Sequence, residues 1–226
     1  MLNNIETKSK ALVLLSGGQD STTCLYWAKQ KFDIVYAIGF DYGQRHKLEL
    51  EQAKIIAKNA GVEFFVLKMP IMSDITSNSL INHEILVDNF DEKNKENNIP
   101  PNSLVEGRNM LFLTYGAIFA KEKGIIDIVA GVSQTDFSGY PDCREEFINS
   151  LEKTLILSMD YPYKIHTPLM HVNKSEVWEL ADKLGVLNII KEQTLTCYNG
   201  IIGEGCTTCP ACVLRNRGYE KFLKKE

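Results

Sequence analysis

Apolar residues fall along this chain in two patterns that take turns. Four short runs are apolar almost without interruption: "ALVLL" at 11–15, "IVYAIGF" at 34–40, "EFFVLK" at 63–68 and "IIDIVAG" at 125–131. A run apolar on both faces predicts a strand buried inside a parallel sheet. Between and after these runs the apolar positions recur at helical spacing, over 21–31, 46–60, 108–123, 144–158 and 174–184, with Gly61 and Gly124 placed to stop the second and third helices. Strand and helix in alternation predict an α/β fold, a Rossmann-like doubly wound parallel sheet. The pattern lapses over 82–102, where "DEKNKENNIPPN" predicts a loop or lid, and again after Gly131, where "VSQTDFSGYPDCR" is a polar loop.

Composition narrows the class. With 226 residues, 44% of them hydrophobic and 24% charged, the chain suits one globular domain and neither a fibrous nor a disordered protein. A formal net charge of −4 argues against broad attraction to a nucleic-acid backbone while leaving small anions free to bind locally. The opening "MLNNIETKSK" lacks the basic-then-apolar order of a leader, and no run reaches the roughly 18 apolar residues of a membrane span, so a cytoplasmic chain with no membrane partner is expected.

The first strand runs into Ser16-Gly17-Gly18-Gln19-Asp20-Ser21 and then a helix. Glycines there let backbone approach a ligand, and the helix start adds its positive dipole end, so the loop predicts an anion site. The hydroxyls of Ser16, Ser21, Thr22 and Thr23 add donors, and Asp20 would tolerate phosphate with a divalent cation between them. The loop is neither a Walker A sequence, since its lysine is missing, nor the G-x-G-x-x-G fingerprint. A plain strand-to-helix turn capped by Ser21 explains one glycine and one serine only. After the second strand, Asp41, Tyr42, Gln44, Arg45 and His46 lie where an open α/β sheet holds its ligands.

Six cysteines are present, and Cys197, Cys206, Cys209 and Cys212 form C-x8-C-x2-C-x2-C. Four thiolates at this spacing can close a tetrahedral, structural zinc shell, although thiolates alone do not separate zinc from an iron–sulfur cluster. Arg215, Arg217 and Lys221 follow to offset the shell's surplus negative charge, and Pro210 suits the first position of a helix. Cys24 is expected to be packed, whereas Cys143, in a polar loop, has the setting of a reactive thiol. The aromatics Tyr26, Trp27, Phe112, Tyr115, Phe119 and Trp178 are expected mostly in the core.

The string S-G-G-x-D-S resembles the pyrophosphatase loop of the ATP-pyrophosphatase (PP-loop) superfamily. Together, "LSGGQDSTTCL", "FDYGQRH", "VEGRNMLFL", "DFSGYPDCR", "HTPLMHVNKSEVW", "TLTCYNG" and "CTTCPACVLRNRGYEKF" resemble, in order from Leu12 to Phe222, the 7-cyano-7-deazaguanine synthase family of the queuosine pathway. The resemblance implies an adenine nucleotide alpha hydrolase-like fold and a ligase forming carbon–nitrogen bonds. Its substrates would be 7-carboxy-7-deazaguanine, ammonia and ATP, with the acid and then the amide adenylated, and AMP and pyrophosphate released. It further implies Mg2+, structural Zn2+ on the four cysteines and a homodimer. Residues 1–226 would form one domain, with a nucleotide-binding core over about 10–170 and a zinc-binding region over about 171–226.

Carried residue by residue, the resemblance puts Leu15, Ser16, Gly17, Gly18, Gln19, Asp20, Ser21, Thr22, Thr23, Cys24 and Leu25 around ATP. Asp20, Ser21, Lys174 and Arg108 would be catalytic. A substrate pocket would draw on Arg108, Asn109, Asp136, Phe137, Tyr140, Asp142 and Arg144, with Arg108 or Arg144 facing the carboxylate, Asp136 or Asp142 the base edge, and Phe137 or Tyr140 stacking on the ring. Two positions depart from the family pattern: Glu106 stands where Pro usually precedes "GRN", and Thr207 where Gly often opens the first cysteine turn, which predicts turn strain. A tRNA-modifying relative is disfavoured by the lack of an obvious second catalytic cysteine and of a basic appended domain. A zinc-dependent nucleic-acid-binding regulator is disfavoured by the acidic charge.

Overall fold

The computed structural model describes residues 8–44, 47–71, 78–82, 84–89, 91, 102–135 and 140–224. Arg45, His46, Asp136, Phe137 and much of the 82–102 segment therefore lie outside the described residues.

Five strands, β1 (Lys10–Leu14), β2 (Ile34–Asp41), β3 (Glu63–Lys68), β4 (Asp127–Val129) and β5 (Lys164–His166), form one parallel sheet in the order β3-β2-β1-β4-β5. Among the described residues the α-helices are α1 (Gln19–Lys31), α2 (Leu48–Asn59), α3 (Arg108–Glu122), α4 (Glu145–Met159), α5 (Lys174–Lys183), α6 (Leu187–Gln193) and α7 (Pro210–Leu223). Side chains of β1 alternate between two cores, as the strand repeat requires. Leu12 packs with Ile38, Ile128 and the Leu113, Ala117, Ile148 and Leu151 faces of α3 and α4. Ala11 and Val13 pack with Ala37, Val129 and the Leu25, Ala28, Ala53 and Ile56 faces of α1 and α2. Helices on both faces are the doubly wound arrangement expected from the strand and helix alternation. Each fully buried Leu or Ile here contributes about 1.5–3 kcal/mol relative to exposure.

The order reverses between β1 and β4, so the crevice beyond their carboxyl ends is the topological switch point. Four details differ from the sequence reading. β4 is only Asp127–Val129: the Ala130 N–H still donates to His166 O at 3.0 Å, and Gly131 then passes against the α1 start. α1 begins at Gln19 with Gly18 as its cap, not at Ser21. The last strand is Lys164–His166, ahead of the "TPL" turn, and α6 follows a helix end the pattern did not extend to. Trp178, Ala181, Val186, Ile190 and Phe222 tie α5, α6 and α7 into a small core on which Tyr26 of α1 packs. Among the described residues, no helix is long and apolar enough to cross a membrane.

Candidate active site

The loop after β1 has its shape because two glycines leave room. Gly17 has φ +84, and a Cβ there would stand 2.9 Å from both Ala53 N and Glu49 O in α2. A Cβ on Gly131 would meet the Asp20 and Ser21 backbone at 3.0 Å, so the end of β4 lies directly against the start of α1. Ser16 and Ser21 face each other, Oγ to Oγ at 3.0 Å, and the Ser16 N–H donates to Ser21 Oγ at 3.2 Å. Gly18, the N-cap of α1, has no side chain to cap it, and Thr196 Oγ1 accepts from the Gln19 N–H at 3.1 Å instead, at a helix start whose positive dipole end borders the crevice.

A cavity of about 320 Å³ opens there, within the size range of small-molecule sites. Leu15, Ser16, Gly18, Gln19, Asp20 and Ser21 line one wall, and Arg108, Asn109, Tyr140 and Lys174 reach it from elsewhere. Lys174 Nζ donates to both Asp20 oxygens at 2.8 and 2.7 Å, which joins two residues 154 apart in sequence. Lys174 starts α5 behind an Asn173 capping box, and Gly218 of α7 lets that helix press on the Lys174 backbone, where a Cβ would come within 2.9 Å of the carbonyl carbon.

Other predicted positions fall outside the void. Gly17 shapes the loop without lining it. Thr22, Thr23, Cys24 and Leu25 are buried in α1, with the Thr23 hydroxyl donating to Gln19 O at 2.9 Å. Asp142 is buried, and its carboxylate accepts from Asn109 N at 2.9 Å and Asn109 Nδ2 at 3.2 Å, so it caps α3 and holds the "GRN" turn. Arg144 is exposed at the start of α4, which leaves Arg108 as the arginine on the cavity wall among the described residues. Replacing Asp142 with alanine is expected to cost about 1–2 kcal/mol. A thermal melt checks this, with the midpoint expected to fall by about 5 °C.

Arg108 sits among Tyr42, Tyr140 and Tyr198, with Nη1 donating to the Tyr42 hydroxyl at 3.4 Å. Burial opposes its charge, but these hydroxyls keep the guanidinium firmly protonated. Burial in turn pushes Tyr42 up to about 12 and Tyr198 well above the usual phenol range. Glu49, half-buried on the same wall, is pushed up to about 7 by burial, with Arg108 acting against the rise. Burial, aided by Asp142, also pushes Cys143 up to about 12, so the thiol that looked reactive in sequence is held protonated. Phe112, read as core, stacks on Phe40 at 4.2 Å and lines the cavity.

The sulfurs of Cys197, Cys206, Cys209 and Cys212 lie within 4.8 Å of one another. A zinc–sulfur tetrahedron with bonds of about 2.3 Å has edges of about 3.8 Å, so the four fit one ion with small adjustment. Cysteine N–H and amide donors surround them: Asn199 N on Cys197 at 3.3 Å, and Asn199 Nδ2 and Cys209 N on Cys206, each at 3.3 Å. A Cβ on Gly205 would overlap the Cys212 sulfur. Thr207 takes φ 63, the left-handed conformation that its departure from glycine predicted to be strained.

A family model described as "Queuosine biosynthesis protein QueC" matches residues 10–223. The chain belongs to that family. A relative in Clostridium acetobutylicum, called 7-cyano-7-deazaguanine synthase, is 56% identical over 217 residues, 96% of each chain. One of the same name in Phocaeicola vulgatus is 54% identical over 217 residues, again 96% of each. The solved structure of a 4-thiouridine synthetase–RNA complex with bound ATP is 16% identical and matches with a TM-score of 0.52 over 95% of this chain and 53% of that one, a likeness of fold alone.

Sequence reasoning missed Glu49, Phe40, Tyr198 and the Leu195–Thr196 segment, all on the cavity wall. Glu49 sits in an ordinary amphipathic helix and Tyr198 inside the cysteine cluster, so neither carries a local signal of its own. The neighbouring "FDYGQRH" polar cluster was the signal that could have led to Glu49.

Proposed function

We propose that the chain makes 7-cyano-7-deazaguanine from 7-carboxy-7-deazaguanine, ammonia and ATP. One observation carries the reading: the family match runs nearly end to end, and the cavity it contains has a glycine–hydroxyl loop on one wall and a charged arginine on the other. A carboxylate repels nucleophiles and has no good leaving group. Adenylation removes both obstacles, and repeating it on the amide oxygen permits loss of that oxygen too.

In this reading Ser16, Gly18 and Ser21 receive the phosphates, aided by the α1 dipole. Asp20 and Lys174 act as a pair beside them, Lys174 meeting charge that develops on the leaving pyrophosphate. Arg108 faces the substrate carboxylate, Asn109 sits beside it, and Tyr140 stacks on or borders the ring. Magnesium would share Asp20 with Lys174, since each carboxylate oxygen keeps a lone pair beyond its bond to the ammonium. Zinc on the four cysteines would fix the tail. The chain would work as a cytoplasmic homodimer, with one domain holding a core over about 10–170 and the zinc region after it.

The test is mass spectrometry of the product formed from 7-carboxy-7-deazaguanine, ammonium, magnesium and ATP, with nucleotide products counted. Nitrile with two ATP converted to AMP per turnover is expected. Amide as the final product refutes the second activation, and no product refutes the reading. Elemental analysis showing one zinc per chain checks the metal; iron with visible absorbance points to a cluster instead.

A further inference from the structure

Ammonia carries three hydrogens and a nitrile nitrogen none, so nitrile synthesis from ammonia needs an acceptor for protons leaving nitrogen, and the identity of that acceptor rests on the proposed function. In the first round the ammonia lone pair forms the bond to the acyl-adenylate carbon, the C–O bond breaks with its electron pair on AMP, and one proton leaves to give the amide. In the second round the amide oxygen displaces pyrophosphate from the α-phosphorus and nitrogen sheds a proton, giving an adenylated imidate. A base then takes the last N–H proton, the N–H bonding pair becomes the third C–N bond, and AMP leaves with the C–O pair.

Among the described residues the cavity walls hold two carboxylates, Asp20 and Glu49. Asp20 is held through both oxygens by Lys174. Glu49 projects from the first turn of α2 into the same void and has no hydrogen bond or ion pair among the described residues. The charged and titratable groups facing that void with it are Tyr42 beyond β2, Arg108 of α3, Asp20 of α1, Lys174 of α5, and Tyr140, Cys143 and Tyr198 from the loops. Burial holds Tyr42 and Cys143 near 12 and raises Tyr198 well above its usual range, so these are protonated at neutral pH, while lysine and arginine offer no lone pair in their charged forms.

We propose that Glu49 is the general base that takes N–H protons from the nitrogen at the reacting carbon in both rounds. Its coulombic neighbour is Arg108, the group facing the substrate carboxylate, which puts the acceptor at the reacting end of the substrate. A carboxyl raised to about 7 accepts a proton and releases it again at neutral pH, as a base used more than once must.

The experiment compares the parent with Glu49→Gln, an isosteric change, supplying the preformed 7-carboxamide with magnesium and ATP so that the second round is read without ammonia. Nitrile formation should slow by about 10²-fold, with the KM for the amide unchanged. Acid-dependent exchange of pyrophosphate into ATP, measured without ammonia, should stay within about threefold of the parent, because adenylating the acid moves no N–H proton. The parent's nitrile rate should fall about tenfold per pH unit below about 7, and Glu49→Gln should lack that limb. A raised KM at unchanged kcat would overturn the proposal in favour of a purine-reading role. Loss of exchange in step with nitrile formation would overturn it in favour of a nucleotide-binding role. A parent that gives neither exchange nor nitrile removes the functional reading itself, and the base assignment with it.

Discussion

Replacing Asp20 with asparagine is expected to lower kcat/KM for ATP by about 10³-fold while the melting midpoint moves by only a few degrees. The two effects separate because the pair with Lys174 is not deep: the side chains are 14% and 32% exposed, and a pair of that kind adds about 1 kcal/mol or less to stability. Its catalytic weight comes from position. Lys174 Nζ is held by both oxygens, at 2.7 and 2.8 Å, beside the loop that would carry the phosphates, so the ammonium is aimed before the nucleotide arrives. Asparagine keeps the shape but removes the charge that aims it. Lys174→Met should cause a comparable fall, and the double variant should be little worse than the poorer single one, since two groups that act as a unit are not additive. ATP-dependent steady-state kinetics on the three variants decides the matter. A fall of less than tenfold for Asp20→Asn would remove the pair from the mechanism.

The sheet was legible because its inner strands are largely buried, which leaves no ambiguity in runs such as "ALVLL", whereas "EFFVLK", read as buried on both faces, is the edge strand β3 with Val66 46% exposed; α1, α2 and α3 follow with the spacing their packing on Leu12 or Val13 demands. The Ser16–Ser21 loop was legible as a cavity wall because glycines and hydroxyls cluster at a strand end, and Ser16, Gly18 and Ser21 line that void. What could not be read was which side of each residue meets the cavity. Asp142 and Arg144 are two residues apart in one polar loop, yet one is buried on the Asn109 backbone and the other stands in solvent. That difference is set by where the α3 N-terminus lies, not by anything local in the loop. Cys143 shows the same limit. Its polar neighbours suggest an accessible thiol, but its burial against Asp142 and Asn109 is a property of the packed turn.

The tail carries the remaining expectation, that Arg215→Met lowers the melting midpoint by about 10 °C and weakens ATP binding from outside the cavity. The sequence pattern assigns Arg215 to the cysteine cluster as a counter-charge. In the structure it is buried to 2% exposure, its Cζ 5.2 Å from the Trp178 ring centroid, donating to Ile190 O at 2.8 Å, Lys191 O at 3.0 Å, Thr194 Oγ1 at 2.6 Å and Thr196 Oγ1 at 3.0 Å. Burial lowers its pKa to about 10, which still leaves it charged at neutral pH. Methionine matches much of the volume but strands those acceptors, and losing a buried, fully engaged cation costs about 3–5 kcal/mol. The effect on ATP is transmitted through the neighbouring contacts. Thr196 Oγ1 also accepts from the Gln19 N–H at 3.1 Å, and the Leu195 N–H donates to Gly17 O at 2.9 Å, so the segment that Arg215 holds is the segment that braces the phosphate loop. Thr196→Val isolates this brace, because it removes one loop contact while Arg215 keeps its other partners. That variant should bind ATP several-fold more weakly, on the scale of about 1 kcal/mol for one hydrogen bond, with a midpoint only a few degrees lower. Calorimetric ATP titrations well below each midpoint test the link. Unchanged affinity in both variants would mean that Arg215 staples the tail together without bracing the loop.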